Sequence, residues 1–247
     1  MGRMLAEAAR MKPDTISGIR PVAALFARRP DDVQRLFYLP AMREVAGPFC
    51  AMLAASRKPY RMVEAAELEK VAGTPHHGGI AAVAKARVPV ILDLGAIPRG
   101  KLLLVLDGIG NPHNLGAIAR SAAFFGIGAL LIGEGIGHAM VSDAALRTSE
   151  GGLEHLELYR TRDLPRALSA MEPLYRTVAA TLTRDAVSLS ELPRDRPVAL
   201  VLGNEETGVS QKVLDVCRRQ VRVHGEGRVQ SLNVAQAAAV LLHDLMR

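Results

Sequence analysis

Two apolar runs limit what this chain can fold into. Lys101-Leu-Leu-Leu-Val-Leu-Asp107 and Pro197-Val-Ala-Leu-Val-Leu202 are of strand length and carry no alternating polar residues. A strand of that kind is buried on both faces, which is the condition of a parallel sheet covered by helices. The sequence around them agrees. Strand-like stretches at 129–133, 175–181 and 220–224 are separated by helical spacing at 114–125, 163–171 and 211–217, and a long helix over 231–246 closes the chain. No hairpin turn joins neighbouring strands, so the connections are crossovers.

Upstream, a shorter α/β pattern runs from Ser17 to Ala84. It comprises helices at 20–28, 41–56 and 65–71, and strands at 33–39, 60–62 and 80–84. Pro21 stands at a first helical turn, where its missing N–H costs nothing, and Thr74-Pro-His-His-Gly-Gly79 reads as a turn. Pro89, Gly95, Pro98 and Gly100 mark a linker. The expected organisation is a flexible lead-in over 1–16, a small domain over 17–88, a linker over 89–100 and a larger domain over 101–247. With 247 residues, 49% of them hydrophobic, the chain can bury one large core or two modest ones.

Net charge is +6, which favours a polyanionic partner. Residues 1–98 hold 14 Lys+Arg against 9 Asp+Glu, so nearly all of the excess lies in the small domain. Aromatics are 4% of the chain and Trp is absent, a poor composition for stacking on single-stranded bases. No run of 18 apolar residues offers a membrane span. The N-terminus lacks the apolar core of a secretory signal, and Cys50 and Cys217 read as two free thiols of a reducing cytoplasm.

The chemistry lies in three segments beside apolar elements: Asn111-Pro-His-Asn-Leu-Gly-Ala-Ile-Ala-Arg120, Leu202-Gly-Asn-Glu-Glu-Thr-Gly208 and Ser231-Leu-Asn-Val-Ala-Gln236. Ligands of open parallel sheets bind outside the carboxyl ends of the strands. The first two segments follow such ends, and the third opens the last helix. Asn114 reads either as an N-cap or as a ligand contact. Arg120, charged among Ile118, Ala119, Ala122 and Ala123, reads either as an exposed side chain or as a group aimed at a phosphate or a reacting oxygen. Gly203 lets backbone approach a ligand closely, and Glu205 and Glu206 either cap a helix or meet a ligand hydroxyl. Known nucleotide fingerprints are missing: no Gly-x-Gly-x-x-Gly follows the first strand and no Gly-Lys-Ser/Thr loop is present. No Cys/His spacing suggests zinc, and adjacent His76-His77 make a poor ligand pair.

The three segments, in this order and spacing, resemble motifs 1, 2 and 3 of the SpoU (TrmH-like) branch of the SPOUT RNA methyltransferases. Segment 17–84, with His77-Gly78-Gly79 near its end, resembles the RNA-binding domain, related to a ribosomal protein, that such enzymes often carry. The resemblance implies an α/β trefoil-knot domain, a parallel sheet with helices on both faces, preceded by a small α/β RNA-binding domain. It implies transfer of a methyl group from S-adenosylmethionine to a ribose 2′-hydroxyl in rRNA or tRNA, and a homodimer that buries the last helix. Carried over by position, Leu202, Gly203, Asn204, Val223, His224, Ser231, Leu232 and Asn233 hold the cofactor. Arg120, Asn114, Glu205, Asn233 and Ser231 serve the chemistry, Arg120 as an electrostatic stabiliser because a guanidinium stays protonated. No metal is implied. Two departures stand out: Val223-His224 where the family often has Ile-Pro, and Glu150 in Ser149-Glu-Gly-Gly152, where a small-residue turn is usual. The rival readings are a non-catalytic RNA binder on the same fold and a nucleotide-dependent oxidoreductase on a doubly wound sheet.

Overall fold

The computed structural model describes residues 12–135 and 137–247. The lead-in expected at the N-terminus falls, for residues 1–11, outside the described residues; Asp14–Ser17 is a strand. In chain order the elements are β1 (Asp14–Ser17), α1 (Ile19–Arg28), β2 (Val33–Tyr38), α2 (Arg43–Ala55), β3 (Tyr60–Met62), α3 (Ala65–Ala72), β4 (Ile80–Ala84), β5 (Val90–Ile91), β6 (Leu102–Asp107), α4 (Pro112–Phe124) and β7 (Ala129–Gly133). There follow α5 (Asp143–Thr148), α6 (Gly152–His155), β8 (Glu157–Thr161), α7 (Leu164–Met171), β9 (Arg176–Ala180), β10 (Val187–Ser188), β11 (Val198–Gly203), α8 (Gln211–Leu214), β12 (Arg219–Arg222) and α9 (Val234–Leu245).

The chain divides into two units. The first ends at Val88 and also takes in Val141–His155; the second consists of Pro89–Met140 and Leu156–Arg247. The chain therefore passes between units at 88/89, at 140/141 and at 155/156, where the sequence pattern alone suggests one linker.

In the first unit a four-stranded sheet has the order β1-β4-β2-β3, with β1 and β2 antiparallel to β4 and β3 parallel to β2. The apolar face of α1 (Val22, Ala24, Leu25, Phe26) is buried. The short helices α5 and α6 lie against β1 and α1. A buried ion network ties α6 down. The Glu154 side chain, 1% exposed, accepts from Arg29 Nε at 2.8 Å and from Arg87 at 3.2 Å. Asp14 joins it, accepting the Arg87 backbone N–H at 2.7 Å and pairing with Arg29 at 3.4 Å. Burial pushes the Asp14 carboxyl up to about 6, against the pull of the Arg87 N–H and of Arg29. Glu150 belongs to this unit, in the turn between α5 and α6 with φ 51. It is exposed.

The second unit is an eight-stranded sheet, parallel throughout, in the order β10-β12-β9-β11-β6-β7-β8-β5. The two apolar runs are its centre: β6 and β11 pair in register from Leu102↔Val198 to Asp107↔Gly203. On one face Leu103, Val105, Ala199 and Val201 join Leu164, Leu168 and Met171 of α7 and Val213 of α8. Each such aliphatic side chain contributes roughly 1.5–3 kcal/mol by leaving water. The helix α9 packs on α4 and β11. Because all strands run the same way, the chain leaves β6, β9, β11 and β12 on one edge.

Candidate functional site

The strand ends of the second unit deliver all three polar segments to that edge. The helix α4 starts earlier than its spacing suggests. Asn111 is its N-cap, accepting from His113 N at 2.8 Å, and Pro112 takes the first helical position. Asn114 is therefore not the cap, and its amide is free for other work. It donates from Nδ2 to Glu205 Oε1 at 2.7 Å, while its Oδ1 accepts from Asn233 Nδ2 at 3.1 Å. One residue from each segment thus joins a hydrogen-bonded chain, Asn233 to Asn114 to Glu205.

Each member is fixed from behind. Asn233 is the N-cap of α9, its Oδ1 accepting from Ala235 N at 2.9 Å. Glu205 also accepts the backbone N–H groups of Gly110 at 3.2 Å and Asn111 at 3.3 Å. Partial burial raises the Glu205 carboxyl's pKa, but the hydrogen bonds from Asn114, Gly110 and Asn111 outweigh it, so the group sits below its usual range. Asn204 builds the turn that carries Glu205. Its Oδ1 accepts from Glu206 N and Thr207 N, and its Nδ2 donates to Gly108 O at 2.7 Å. The turn closes tightly: a Cβ on Gly203 would lie 2.2 Å from the carbonyl carbon of Gly208. The close approach that calls for glycine here is to the chain itself rather than to a ligand. Asp107, unremarkable in sequence, accepts from Ser210 N at 2.7 Å and holds the far end of the same turn.

Beside this chain of bonds opens a cleft of about 1450 Å³, larger than the roughly 300–1,000 Å³ of an ordinary small-molecule site. Leu202, Gly203, Asn204, Val223, His224, Ser231, Leu232 and Asn233 all line it, and so does Glu205. Sequence reasoning missed Thr181, Leu182 and Thr183 at the exit of β9, and Arg222 at the end of β12, which line it too. Ser231 is exposed and enters none of the bonds of the Asn114 chain.

Arg120 is elsewhere. Six positions beyond Asn114 on a helix of 3.6 residues per turn, it lies about 120° around α4 from that side chain. It is exposed, on the same stripe as His113 and Phe124, and has no hydrogen-bond or ion-pair partner among the described residues. Within one chain the structure does not bring Arg120 to Asn114, Glu205 and Asn233. Cys50 and Cys217 are both free thiols. No helix among the described residues is long and apolar enough to cross a membrane.

Comparison with known proteins matches residues 101–243 to the SpoU rRNA Methylase family. Residues 15–89 match the RNA 2′-O ribose methyltransferase substrate binding family. The chain is 31% identical over 252 residues to the 23S rRNA (guanosine-2′-O-)-methyltransferase RlmB of Acinetobacter baylyi, covering 96% of this chain and 98% of that protein. It is 30% identical over 240 residues to the uncharacterized tRNA/rRNA methyltransferase YfiF of Escherichia coli O157:H7, covering 96% and 69% respectively. The fold is shared with the SpoU methyltransferase AviRb of Streptomyces viridochromogenes, crystallised with AdoMet, at a TM-score of 0.78 and 23% identity over 98% of this chain and 92% of that one.

Proposed function

The chain belongs to the SpoU rRNA methylase family; it is therefore an RNA methyltransferase that uses S-adenosylmethionine, and we propose that its acceptor is the 2′-hydroxyl of a ribose in rRNA or tRNA. The observation that carries this reading is the bond chain Asn233–Asn114–Glu205, whose two ends line a cleft large enough for a nucleoside cofactor with room beside it. The residues present fit such a cofactor: two loops that line the cleft, 203–208 and 223–233, and a guanidinium, that of Arg222, whose buried Nε has no partner.

Leu202, Gly203, Asn204, Val223, His224, Ser231, Leu232 and Asn233 would hold the cofactor, which when bound supplies a methyl group already activated by its sulfonium. The protein's part is then orientation and charge. Asn114, held by Glu205 and Asn233, positions the target ribose. Arg120 faces the RNA as a free guanidinium, steering a phosphate and stabilising the developing alkoxide. The first unit, which carries most of the net positive charge of the sequence, takes the RNA. A second copy of the chain covers Phe124 at the end of α4 and Val240 of α9, which are 83% and 45% exposed, and the enzyme works as a soluble cytoplasmic homodimer; static light scattering at micromolar concentration tests the dimer.

The deciding experiment incubates the purified protein with total rRNA or tRNA and methyl-labelled S-adenosylmethionine, then digests the RNA to nucleosides for mass spectrometry. Label in a ribose-methylated nucleoside is expected. Label on a base would refute the acceptor, and RNA binding with no transfer would establish a non-catalytic binder instead.

A further inference from the structure

Arg222 is the last residue of β12, where the chain leaves the sheet for the 223–233 loop. Its neighbour Val221 is buried, and in a strand the next side chain points to the opposite face. That face is polar: Gln220 accepts the Thr183 hydroxyl at 2.6 Å, and Thr183 and Arg222 both line the cleft. The Nε of Arg222 is sealed from solvent and bonds to nothing.

Arg222 shares its sealed Nε with Arg87, Arg160 and Arg196; what those three have in addition is a carboxylate. Arg87 pairs with Glu154 at 3.2 Å, Arg160 with Glu134 at 2.7 Å and Arg196 with Glu172 at 3.3 Å. Arg222 is half-buried and meets no carboxylate within ion-pair distance among the described residues. A guanidinium withdrawn from water without a counter-charge is costly, and the usual remedy is an anion. Here the anion has to enter through the cleft.

Resting on the assignment of that cleft to S-adenosylmethionine, we infer that Arg222 binds the carboxylate of the cofactor's methionine group. A guanidinium can give a carboxylate two parallel N–H bonds in one plane. The cofactor has a single carboxylate, while its amine and sulfonium are cationic and gain nothing from this side chain. An RNA phosphate is the competing anion, but a strand backbone meets exposed cations, and this one is set inside the cleft with its Nε covered.

The test is calorimetry with two ligands, S-adenosylmethionine and its decarboxylated analogue, on the wild-type protein and on Arg222→Met. The wild type is expected to prefer the carboxylated ligand by roughly tenfold, the worth of one charge-assisted pair. Arg222→Met should abolish that preference while its affinity for the decarboxylated analogue stays within about twofold of wild type. Equal weakening of both ligands, or retention of the preference, would overturn the inference. So would a loss confined to RNA affinity in filter binding, which would give Arg222 to a phosphate. A wild type that binds neither ligand would sink the cofactor assignment itself, a result distinct from the others. Should Arg222→Met fail to fold, Arg222→Lys carries the same comparison. It keeps the charge without the planar fork and is expected to keep only part of the preference; full preference would mean that the fork makes no paired contact.

Discussion

Replacing Glu205 by Gln isolates what the carboxylate does. Its oxygens accept three N–H donors, from Asn114 at 2.7 Å, Gly110 at 3.2 Å and Asn111 at 3.3 Å. A neutral amide of the same shape keeps one acceptor oxygen and turns an NH₂ toward the remaining donors. Hydrogen bonds to a charged group are worth about 1.5–3 kcal/mol and neutral ones about 0.5–1.5. Losing the charge and opposing one donor with another therefore costs about 2–4 kcal/mol in a protected setting, and about half that here, since Glu205 is exposed to solvent. At about 1.4 kcal/mol per decade, Glu205→Gln should lower kcat/KM for methylation roughly 5- to 30-fold. The same bonds hold the native turn, so the urea midpoint of unfolding should fall by at most the shift that about 1–2 kcal/mol produces. Single-turnover transfer from labelled S-adenosylmethionine, run beside the unfolding curve, measures both. Wild-type turnover, with or without a loss of stability, would refute the positioning role.

Arg120→Ala should leave folding and cofactor affinity intact and cut methyl transfer by at least roughly tenfold, the scale for one electrostatic stabiliser; near-normal turnover removes Arg120 from the chemistry. Asp14 gives a pH prediction for the first unit. Its carboxyl is pushed from 3.8 up to about 6, so the stability it contributes is complete below 3.8 and is lost as pH rises through about 6, a change on the order of 3 kcal/mol. Relative to wild type, Asp14→Asn should flatten the stability slope between pH 4 and 6 in urea titrations; parallel slopes would contradict the buried placement. The Glu205 carboxyl sits below its usual range and its oxygens are engaged. The pH–rate profile should accordingly show no limb that Glu205→Gln removes, and the disappearance of such a limb in that variant would make Glu205 a base after all.

The centre of the fold was open to reading because burial on both faces writes itself into sequence: β6 and β11 carry no polar residue before their final position. The strand β8 was hidden for the opposite reason. Its Glu157 and Arg160 break the apolar pattern, and the structure spends them on partners, Tyr159 with Glu157 and Arg160 with Glu134. The two-residue strands β5 and β10 have no signature of their own and exist by pairing with β8 and β12. The passage of 141–155 into the first unit was equally silent. It depends on Glu154 meeting Arg29, 125 residues away, a pairing no local pattern encodes. The start of α4 was legible in principle, since Pro112 belongs at a first helical position and makes Asn111 the cap. The unpartnered state of Arg222 could not be read at all, because Val-Arg-Val at a strand end does not disclose what the guanidinium lacks.

The bond chain at the site has a direction, and the direction narrows its chemistry. Glu205 below its usual pKa range is a carboxylate, which can only accept, so Asn114 must turn its NH₂ toward it. That leaves the Asn114 oxygen facing Asn233, which must then present its own NH₂, its oxygen being committed to Ala235 N as the helix cap. The amide orientations are thus fixed by the charge at one end and the helix start at the other. The acceptors are taken up in order, and what stays free on both asparagines is one N–H each. A bond chain that offers N–H groups beside a cleft, with its own carboxylate committed to three donors, is complementary to an oxygen gaining negative charge rather than to a proton being removed. For a ribose hydroxyl attacking a methyl group, that is stabilisation of the alkoxide. Glu205→Gln would strike at this polarity, since a neutral amide no longer dictates which way Asn114 turns.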